Sequence, residues 1–228
     1  MLLGHSMSAQ VLTQEEIEDT FVLTFGEIPS NGKEWMLLAD SIKAAYPLDI
    51  NKQITFTHVI DVPNKNKDDI FIAAQSWFTA SFNDGKSVMQ TADKDAGVIL
   101  AKGYIAGVGH RDGFSKSVTV SAYVMIRLDV KDEKVRLITT IQEYEMNQST
   151  GVGMAIMGGL SGNVVANNAK FSIVPQNGYP FSTDKKYKAY RRETSIGYAS
   201  SIAYSILLKN KVEAALRVGI TGTDGSDW

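Results

Sequence analysis

Residues 116–129 alternate between apolar side chains and larger or polar ones, and this pattern constrains the fold most strongly. A period of two places successive side chains on opposite faces of a β-strand, so one face of this strand is predicted to be buried. The turn sequence Lys131-Asp132-Glu133 leads into a second strand at residues 134–145, and a strand at residues 98–108 precedes the first. Strands joined by such short turns form an antiparallel meander. The predicted inward side chains are Val118, Val120, Ala122, Val124, Ile126 and Leu128, and the outward ones are Thr119, Ser121, Tyr123, Met125 and Arg127.

Two helices are predicted to accompany this meander. An alternating strand at residues 52–62 is followed by Asn64 and Asn66, either of which is a suitable N-cap for a helix. Apolar residues then recur every three or four positions, as in a helix that packs on a sheet, and a short strand follows at residues 86–90. With a long helix at residues 193–218, the order predicts an α+β fold: a curved antiparallel sheet with helices on one face. The apolar stripe of the first helix comprises Ile70, Ala73, Ala74, Trp77, Phe78 and Phe82.

The domain organisation is predicted to centre on one α+β domain at residues 47–218. Residues 11–46 are interpreted as a variable N-terminal extension with a helix at residues 34–45, and their sequence does not predict how the extension packs. Residues 147–181 combine apolar residues with many glycines and show no period, which predicts a long excursion from the sheet. Residues 219–228 are expected to be a loose tail.

The composition of the chain excludes several classes of function. The 228 residues carry a formal net charge of −2, which provides no overall field to attract nucleic acid or an anionic membrane. The chain has no cysteine, so thiol catalysis, disulfides and cysteine-bearing zinc sites are excluded. No apolar run reaches the roughly 20 residues that a membrane-spanning helix needs, so an integral membrane protein is not predicted.

The N-terminal residues 1–10 bear on the cellular compartment. They read MLLGHSMSAQ, in which Met7-Ser8-Ala9 resembles the small-residue end of a signal-peptide cleavage site. We interpret them as the remnant of a truncated secretory signal, which predicts a secreted, periplasmic or cell-envelope protein. The alternative is an ordinary N-terminus on a cytoplasmic protein.

Several short motifs, taken in their order, resemble those of a known family. They are Tyr46-Pro47-Leu48-Asp49, Asp68-Asp69-Ile70, Trp77-Phe78, Ser87-Val88-Met89-Gln90, Asp93-Lys94-Asp95-Ala96-Gly97 and Tyr179-Pro180-Phe181. On these motifs, residues 46–145 and 178–216 resemble a bacterial domain-of-unknown-function family with a TBP-like (TATA-binding-protein-like) fold. The resemblance implies that fold and a secreted or envelope protein of Bacteroidota-type bacteria. It implies no catalytic residues, because a fold does not specify a function.

Candidate metal ligands fit structural roles better than a metal site. His5, His58 and His110 are too scattered for a local ligand motif, and His58 falls on the inward face of its strand, which predicts a hydrogen-bonded histidine. Residues 93–97 begin like a calcium loop, but the twelfth position is Tyr104 and not a carboxylate. We therefore interpret them as a hairpin turn and predict no metal-binding residues.

Motifs for nucleotide binding or covalent catalysis are also incomplete. The glycines of residues 151–162 lack the Gly-Lys-Ser/Thr of a phosphate-binding loop, and the chain contains no G-x-S-x-G nucleophile motif. A catalytic triad assembled from distant residues remains an alternative, because its members meet in space and not in sequence. We predict no catalytic residues, no cofactor-binding residues and no cofactor.

Two surfaces are candidates for binding a ligand or partner. The first is the outward face of the sheet, where Tyr123, Met125 and Arg127 lie on the central predicted strand. The second is a basic segment that interleaves cations with tyrosines, a pattern that contacts phosphates and stacks on bases in some proteins. Its alternative is a solvated lead-in to the last helix. The segment comprises Lys185, Lys186, Tyr187, Lys188, Tyr190, Arg191 and Arg192.

These observations favour a non-enzymatic module over an enzyme. The first hypothesis is a secreted or periplasmic module that binds a protein, peptide or glycan of the cell envelope. One alternative is a hydrolase with a dispersed active site. A second is nucleic-acid or anionic-ligand binding through residues 185–192, although the negative net charge and the predicted export disfavour nucleic acid.

Overall fold

The secondary structure follows the predicted order of elements. The computed structural model describes residues 12–81, 89–150, 156–157 and 169–218, and within them it contains four α-helices, six β-strands and two short 3-10 helices. The α-helices are α1 (Gln14–Phe25), α2 (Gly32–Ile42), α3 (Lys67–Ser81) and α4 (Arg191–Val218). The strands are β1 (Ile54–Asp61), β2 (Met89–Asp93), β3 (Val98–Arg111), β4 (Lys116–Lys131), β5 (Lys134–Thr150) and β6 (Ala169–Ile173), and the 3-10 helices are Pro175–Asn177 and Lys185–Tyr190.

All strand pairings in the sheet are antiparallel. The order is β1-β5-β4-β3-β2, and β6 pairs with β5 beyond the end of β1. The central hairpin pairs Lys131 with Lys134 at its turn and Lys116 with Thr150 at its open end. Strands β2 to β5 therefore form the predicted four-strand meander, and the α+β antiparallel fold class is confirmed.

The helices cover one face of the sheet and leave the other exposed. On β4 the predicted inward side chains, from Val118 to Leu128, are all at most 1% exposed, whereas Tyr123 and Arg127 point away from the core. Helix α4 contacts β1, β3, β4 and β5, and α1, α2 and α3 pack against α4. Burial of this apolar layer stabilises the fold by roughly 25 cal/mol per Å² of apolar surface.

The first two helices pack into the same hydrophobic core as the sheet. Thr13 and Glu16 form a reciprocal capping box at the start of α1, and the Asn31 side chain caps α2. The rings of Phe21 and Trp35 lie 5.2 Å apart, and both side chains are 2% exposed. The sequence did not predict how residues 11–46 pack. In the structure α1 and α2 form a layer on α4.

The sheet is longer than the sequence predicted. Strand β3 continues to Arg111, and β5 continues to Thr150, so residues 147–150 lie in the sheet although an excursion was predicted to begin there. The reason is the length of β4, because an antiparallel hairpin that starts at Lys116 requires partners up to Thr150. Strand β6 returns to the same sheet within the predicted excursion.

Some predicted features lie outside the described residues. They are the signal remnant at residues 1–10, Phe82 of the predicted apolar stripe, the start of the strand predicted at 86–90, most of the Gly-rich segment and the tail at 219–228. Residues 89 and 90 of that short strand lie in β2, which continues beyond the predicted end to Asp93 and pairs with β3. The N-cap of α3 is Asn66, whose Oδ1 accepts the backbone N–H of Asp69 at 2.9 Å, as one of the two sequence alternatives predicted.

Candidate binding surfaces

Two tyrosines form a pair on the exposed face of the sheet. Tyr104 of β3 lies directly opposite Tyr123 of β4 in the strand register, and both side chains point away from the helices. Their ring centroids are 4.9 Å apart with a 53° angle between the planes. Tyr104 is 45% exposed and Tyr123 is 40% exposed. We call this pair, with the half-buried Met125 beside it on β4, the tyrosine face.

A buried carboxylate holds the tyrosine face in place. Glu145 of β5 lies opposite Ser121 of β4 and is 7% exposed. Its Oε1 accepts a hydrogen bond of 2.7 Å from the Tyr104 hydroxyl, and its Oε2 lies 2.9 Å from Nζ of Lys170 on β6. Both carboxylate oxygens are therefore partnered, as a buried charge requires. The contacts connect β3, β5 and β6 across the exposed face.

The pKa of Glu145 is lowered and the pKa of Tyr104 is raised, and both shifts favour a hydrogen bond from the phenol to the carboxylate. Hydrogen bonding to Lys170, and then to Tyr104, lowers the pKa of Glu145 below its ordinary value. Burial, with a smaller contribution from the nearby Glu145 carboxylate, raises the pKa of Tyr104. Glu145 is thus ionised and the Tyr104 hydroxyl is protonated at neutral pH, which fixes the direction of their hydrogen bond. The orientation of the Tyr104 ring is set accordingly.

The predicted residue Arg127 belongs to a different cluster from Tyr123 and Met125. Its Nε donates to Oδ1 of Asp129 at 2.6 Å, and Arg136 donates to Oδ2 of the same carboxylate at 2.5 and 2.8 Å. Asp129 has only 14% of its side chain exposed and lies between the two guanidinium groups. Arg127 therefore belongs to an ion-pair cluster on β4 and β5, whereas Tyr123 and Met125 belong to the tyrosine face.

The basic segment forms the second predicted surface, but its tyrosines are packed against other side chains. Lys185 and Lys186 are exposed, and Nζ of Lys186 lies 5.2 Å from the centroid of the half-buried Tyr187 ring. The ring of Tyr190 lies 4.3 Å from that of Phe171, centroid to centroid, at an interplanar angle of 32°. Because both rings already contact other side chains of the protein, the segment presents its cations to a ligand more than it presents aromatic rings for a base to stack on.

Two concave regions accompany these surfaces. One, of about 320 Å³, lies where α4 begins and is lined by residues that include Lys116, Lys188 and Glu193. The other, of about 380 Å³, lies between α2 and the loop that contains Phe181, with Asp40 and Lys43 on its wall. The Nζ of Lys43 donates to the backbone carbonyl of Pro180 at 2.8 Å, which ties α2 to that loop.

Comparison with known proteins identifies the central segment of the chain. Residues 56–144 match the model of DUF4468, a domain of unknown function with TBP-like fold. The resemblance inferred from the sequence is thereby confirmed over this segment, which runs from β1 into β5 and contains both tyrosines of the tyrosine face. No curated protein matches the chain.

Two solved structures are also similar to the chain. A TBP-like protein from Parabacteroides distasonis has a TM-score of 0.47 at 11% identity, with 75% of this chain and 96% of that chain covered. A DUF4468 family protein from Bacteroides ovatus has a TM-score of 0.41 at 9% identity, with 88% of this chain and 100% of that chain covered.

The described histidines serve as structural hydrogen-bonding groups. His58 Nε2 lies 2.7 Å from Ser205 Oγ, which confirms the prediction of a hydrogen-bonded histidine on the inward face of β1. Burial, with the nearby charge of Lys209, lowers the pKa of His58. This Ser–His contact resembles a nucleophile–base pair, but Ser205 is 1% exposed and lines neither of the two concave regions described above. His110 is paired separately with Thr119 and Asp112.

The carboxylates of the predicted hairpin turn are also structural. Asp93 Oδ1 accepts the backbone N–H of Ala96 at 2.8 Å, which confirms that residues 93–97 form a turn. In the described ranges, no group of three or more histidine or carboxylate side chains is arranged to hold a metal ion. No helix within those ranges combines the length and apolar character needed to cross a membrane.

Sequence reasoning missed three residues that shape these surfaces. Tyr104 falls on the outward face of its strand, and the alternation of Ile99, Ala101 and Ile105 contains the signal that would have found it. Glu145 and Lys170 carry no comparable signal, because their contact depends on the pairing of β5 with β6.

Proposed function

We propose that this DUF4468-like chain is a non-catalytic binding module that contacts a protein or peptide partner through the tyrosine face. The proposal rests on the paired rings of Tyr104 and Tyr123, which are exposed on the face that the helices leave uncovered. Tyrosine and methionine are enriched at protein interfaces, and tyrosine is frequent among the residues that dominate binding energy. The fixed hydrogen bond to Glu145 supports the same role, because a pre-ordered ring loses less entropy when it binds.

We also propose that the module acts in the periplasm or outside the cell. The small-residue motif within residues 1–10 supports this location. Fractionation of a Bacteroidales host that expresses the tagged chain from its own gene tests it. Recovery with the periplasmic or secreted fraction is expected, and recovery with cytoplasmic markers alone would refute the location.

The binding function is tested in two steps. Tagged wild-type chain is first incubated with an envelope extract of the host, and a retained protein is identified and purified. Its affinity is then measured by calorimetry for wild type, Tyr104→Ala and Tyr123→Ala. Each substitution is expected to weaken binding by about 30-fold or more, as for a central interface tyrosine.

The matched control is Leu23→Ala on α1, which removes a side chain that is 87% exposed but far along the chain from the tyrosine face. It should bind as wild type does, and Leu23→Ala and Tyr123→Ala should keep the wild-type melting temperature within a few degrees. Tyr104→Ala also removes the donor to Oε1 of Glu145, so its melting temperature is expected to fall further. Equal affinity of the double variant Tyr104→Ala/Tyr123→Ala and wild type contradicts the proposal. Retention of protease-resistant polysaccharide instead of protein would identify a glycan as the partner and would also contradict it.

A further inference from the structure

The cleft at the start of α4 has the dimensions of a small-molecule site. Its volume is about 320 Å³, within the range of roughly 300–1,000 Å³ that is usual for ligand pockets. Its walls come from separate parts of the chain: Lys116 begins β4, Lys188 lies in the second 3-10 helix, and Arg191, Arg192 and Glu193 form the first turn of α4. Side chains that carry charge therefore converge from distant positions.

Positive charge exceeds negative charge in this cleft. Four cationic side chains line it with a single carboxylate, Glu193, and Lys116 Nζ lies 2.7 Å from Glu193 Oε1. For Lys188, Arg191 and Arg192, the described part of the chain provides no carboxylate within salt-bridge distance. Glu193 is paired with Lys116, which leaves the charges of Lys188, Arg191 and Arg192 available to an anion.

Two residues that line the cleft, Arg191 and Glu193, each contain a buried polar atom with no partner among the described residues. Glu193 is 3% exposed, and its Oε2 accepts no hydrogen bond. The Nε of Arg191 is likewise buried and unpaired. Native folds rarely leave such groups unsatisfied, since each costs about 1–3 kcal/mol. One atom is an acceptor and the other is a donor, so a ligand that satisfies both must donate one hydrogen bond and accept another.

The arginines of the cleft are positioned by packing. The guanidinium carbon of Arg191 lies 5.8 Å from the centroid of the Tyr179 ring. Arg192 lies across Gly32 at the start of α2, where an added Cβ would be only 2.4 Å from its Cδ and 2.8 Å from its Cγ. Gly32 thus leaves the space that the Arg192 side chain occupies. Guanidinium groups held in this way are suited to phosphate and carboxylate oxygens.

We propose that this cleft binds a small anion that also carries hydroxyl groups, the chemistry shared by sugar phosphates and sugar acids. The anionic oxygens accept hydrogen bonds from Arg191, Arg192 and Lys188, and a ligand hydroxyl donates to Oε2 of Glu193. Inorganic phosphate supplies the anionic oxygens without the sugar hydroxyls, and a neutral sugar supplies hydroxyls without the negative charge that the cations favour. The site does not depend on the tyrosine face, so either proposal can fail alone.

Calorimetry on the full chain tests this proposal with four probes: glucose 6-phosphate, glucuronate, inorganic phosphate and glucose. At least one of the hydroxylated anions is expected to bind more tightly than phosphate and glucose, and the better of the two identifies the anionic group. Lys188→Ala and Arg192→Ala, both at exposed residues, should weaken that binding about tenfold or more. Lys185→Ala and Lys186→Ala are matched controls, because they remove the same charge from the same segment outside the cleft lining.

The role of Glu193 is tested separately with Glu193→Gln. This change keeps the shape of the side chain, and the melting temperature reports whether the variant folds. It is expected to lower the preference for the hydroxylated anion over phosphate, a ratio that loss of stability alone does not change. If Glu193→Gln does not fold, the comparison of Lys188→Ala with Lys185→Ala decides the proposal by itself.

Three results would overturn the proposal. One is that no hydroxylated anion binds at millimolar concentration in low salt. Another is that the control variants Lys185→Ala and Lys186→Ala weaken binding as much as Lys188→Ala, which indicates a diffuse basic field. The third is that a single-stranded oligonucleotide binds more tightly than either hydroxylated anion and loses affinity in the control variants.

Discussion

Replacement of Gly109 by alanine is expected to destabilise the protein by separating β3 from α4. A Cβ at this position would lie 2.6 Å from Ser200 Oγ, 2.7 Å from Ile196 Cγ2 and 3.0 Å from Ser200 Cβ. Non-bonded carbon atoms are normally about 3.5–4.0 Å apart, so the helix must move outward by roughly 1 Å. Ser200 and Ile196 are 3% and 0% exposed, and neither is the end of a long flexible side chain.

The magnitude follows from the cost of overpacking a core. Such substitutions typically cost about 1–3 kcal/mol, and the three close contacts favour about 2 kcal/mol here. For a chain of this length, that loss lowers the melting temperature by about 4–8 °C. Urea unfolding followed by tryptophan fluorescence measures it, since Trp35 lines the same small pocket as Gly109.

A second substitution distinguishes this contact from a general effect on the strand. Ser200→Gly removes both serine atoms that the new Cβ would approach, at a cost of roughly 0.5–1 kcal/mol for glycine in a helix. In the Ser200→Gly background, Gly109→Ala should cost no more than about half of its cost in wild type. An equal cost in both backgrounds, or a cost below about 0.5 kcal/mol in wild type, would refute the packing argument.

Three further substitutions test the electrostatic assignments. Burial lowers the pKa of His58 in the folded state, so the unfolded chain takes up this proton at a higher pH than the folded chain does. The free energy of unfolding should therefore fall as the pH drops below about 6.5. His58→Gln should weaken that pH dependence in urea titrations at several pH values. Glu145→Gln should lower the pKa of Tyr104, because it removes a negative charge beside the phenol; tyrosinate absorbance, compared with a Tyr104→Phe control, measures the shift, and an unchanged pKa would contradict the assignment. Burial of Asp129 opposes its ionisation, but hydrogen bonds from two arginines outweigh burial and lower its pKa. Asp129→Asn should therefore lower the free energy of unfolding by about 1–2 kcal/mol at neutral pH, a larger loss than that caused by Arg127→Ala. A larger loss for Arg127→Ala in urea unfolding would show that the carboxylate does not organise this cluster.

The sequence was sufficient to predict those parts of the fold in which a periodic pattern of apolar residues extends along a long strand or helix. Alternation over residues 116–129 defined β4 because one face of that strand is buried along its whole length. The last helix was predicted from residue 193 and begins at Arg191. Helix α1 was not predicted, because its acidic first half and apolar second half obscure the spacing of Ile17, Thr20 and Phe21, the residues it buries.

The candidate surfaces were only partly predictable, because they depend on contacts between distant residues. Tyr123 was predicted to point outward, and its partner Tyr104 was accessible to the same reasoning. Lys116 and Glu193, in contrast, are 77 positions apart, and no local pattern indicates that they meet. The basic segment was recognised from composition, yet composition does not reveal that only some of its cations line a cleft.

Both surfaces contain a buried glutamate paired with a lysine, and the difference between the two pairs indicates different roles. Glu145 has both oxygens partnered, by Tyr104 and by Lys170, so its burial stabilises a ring that remains exposed. Glu193 is buried to a similar degree, but only one of its oxygens has a partner. A buried charge requires compensation, so a fully partnered carboxylate organises its neighbours, whereas a half-partnered one retains the capacity to bind a donor. On this reasoning Glu145→Gln disturbs the tyrosine face even when no partner protein is bound, whereas Glu193→Gln mainly changes which ligand the cleft prefers.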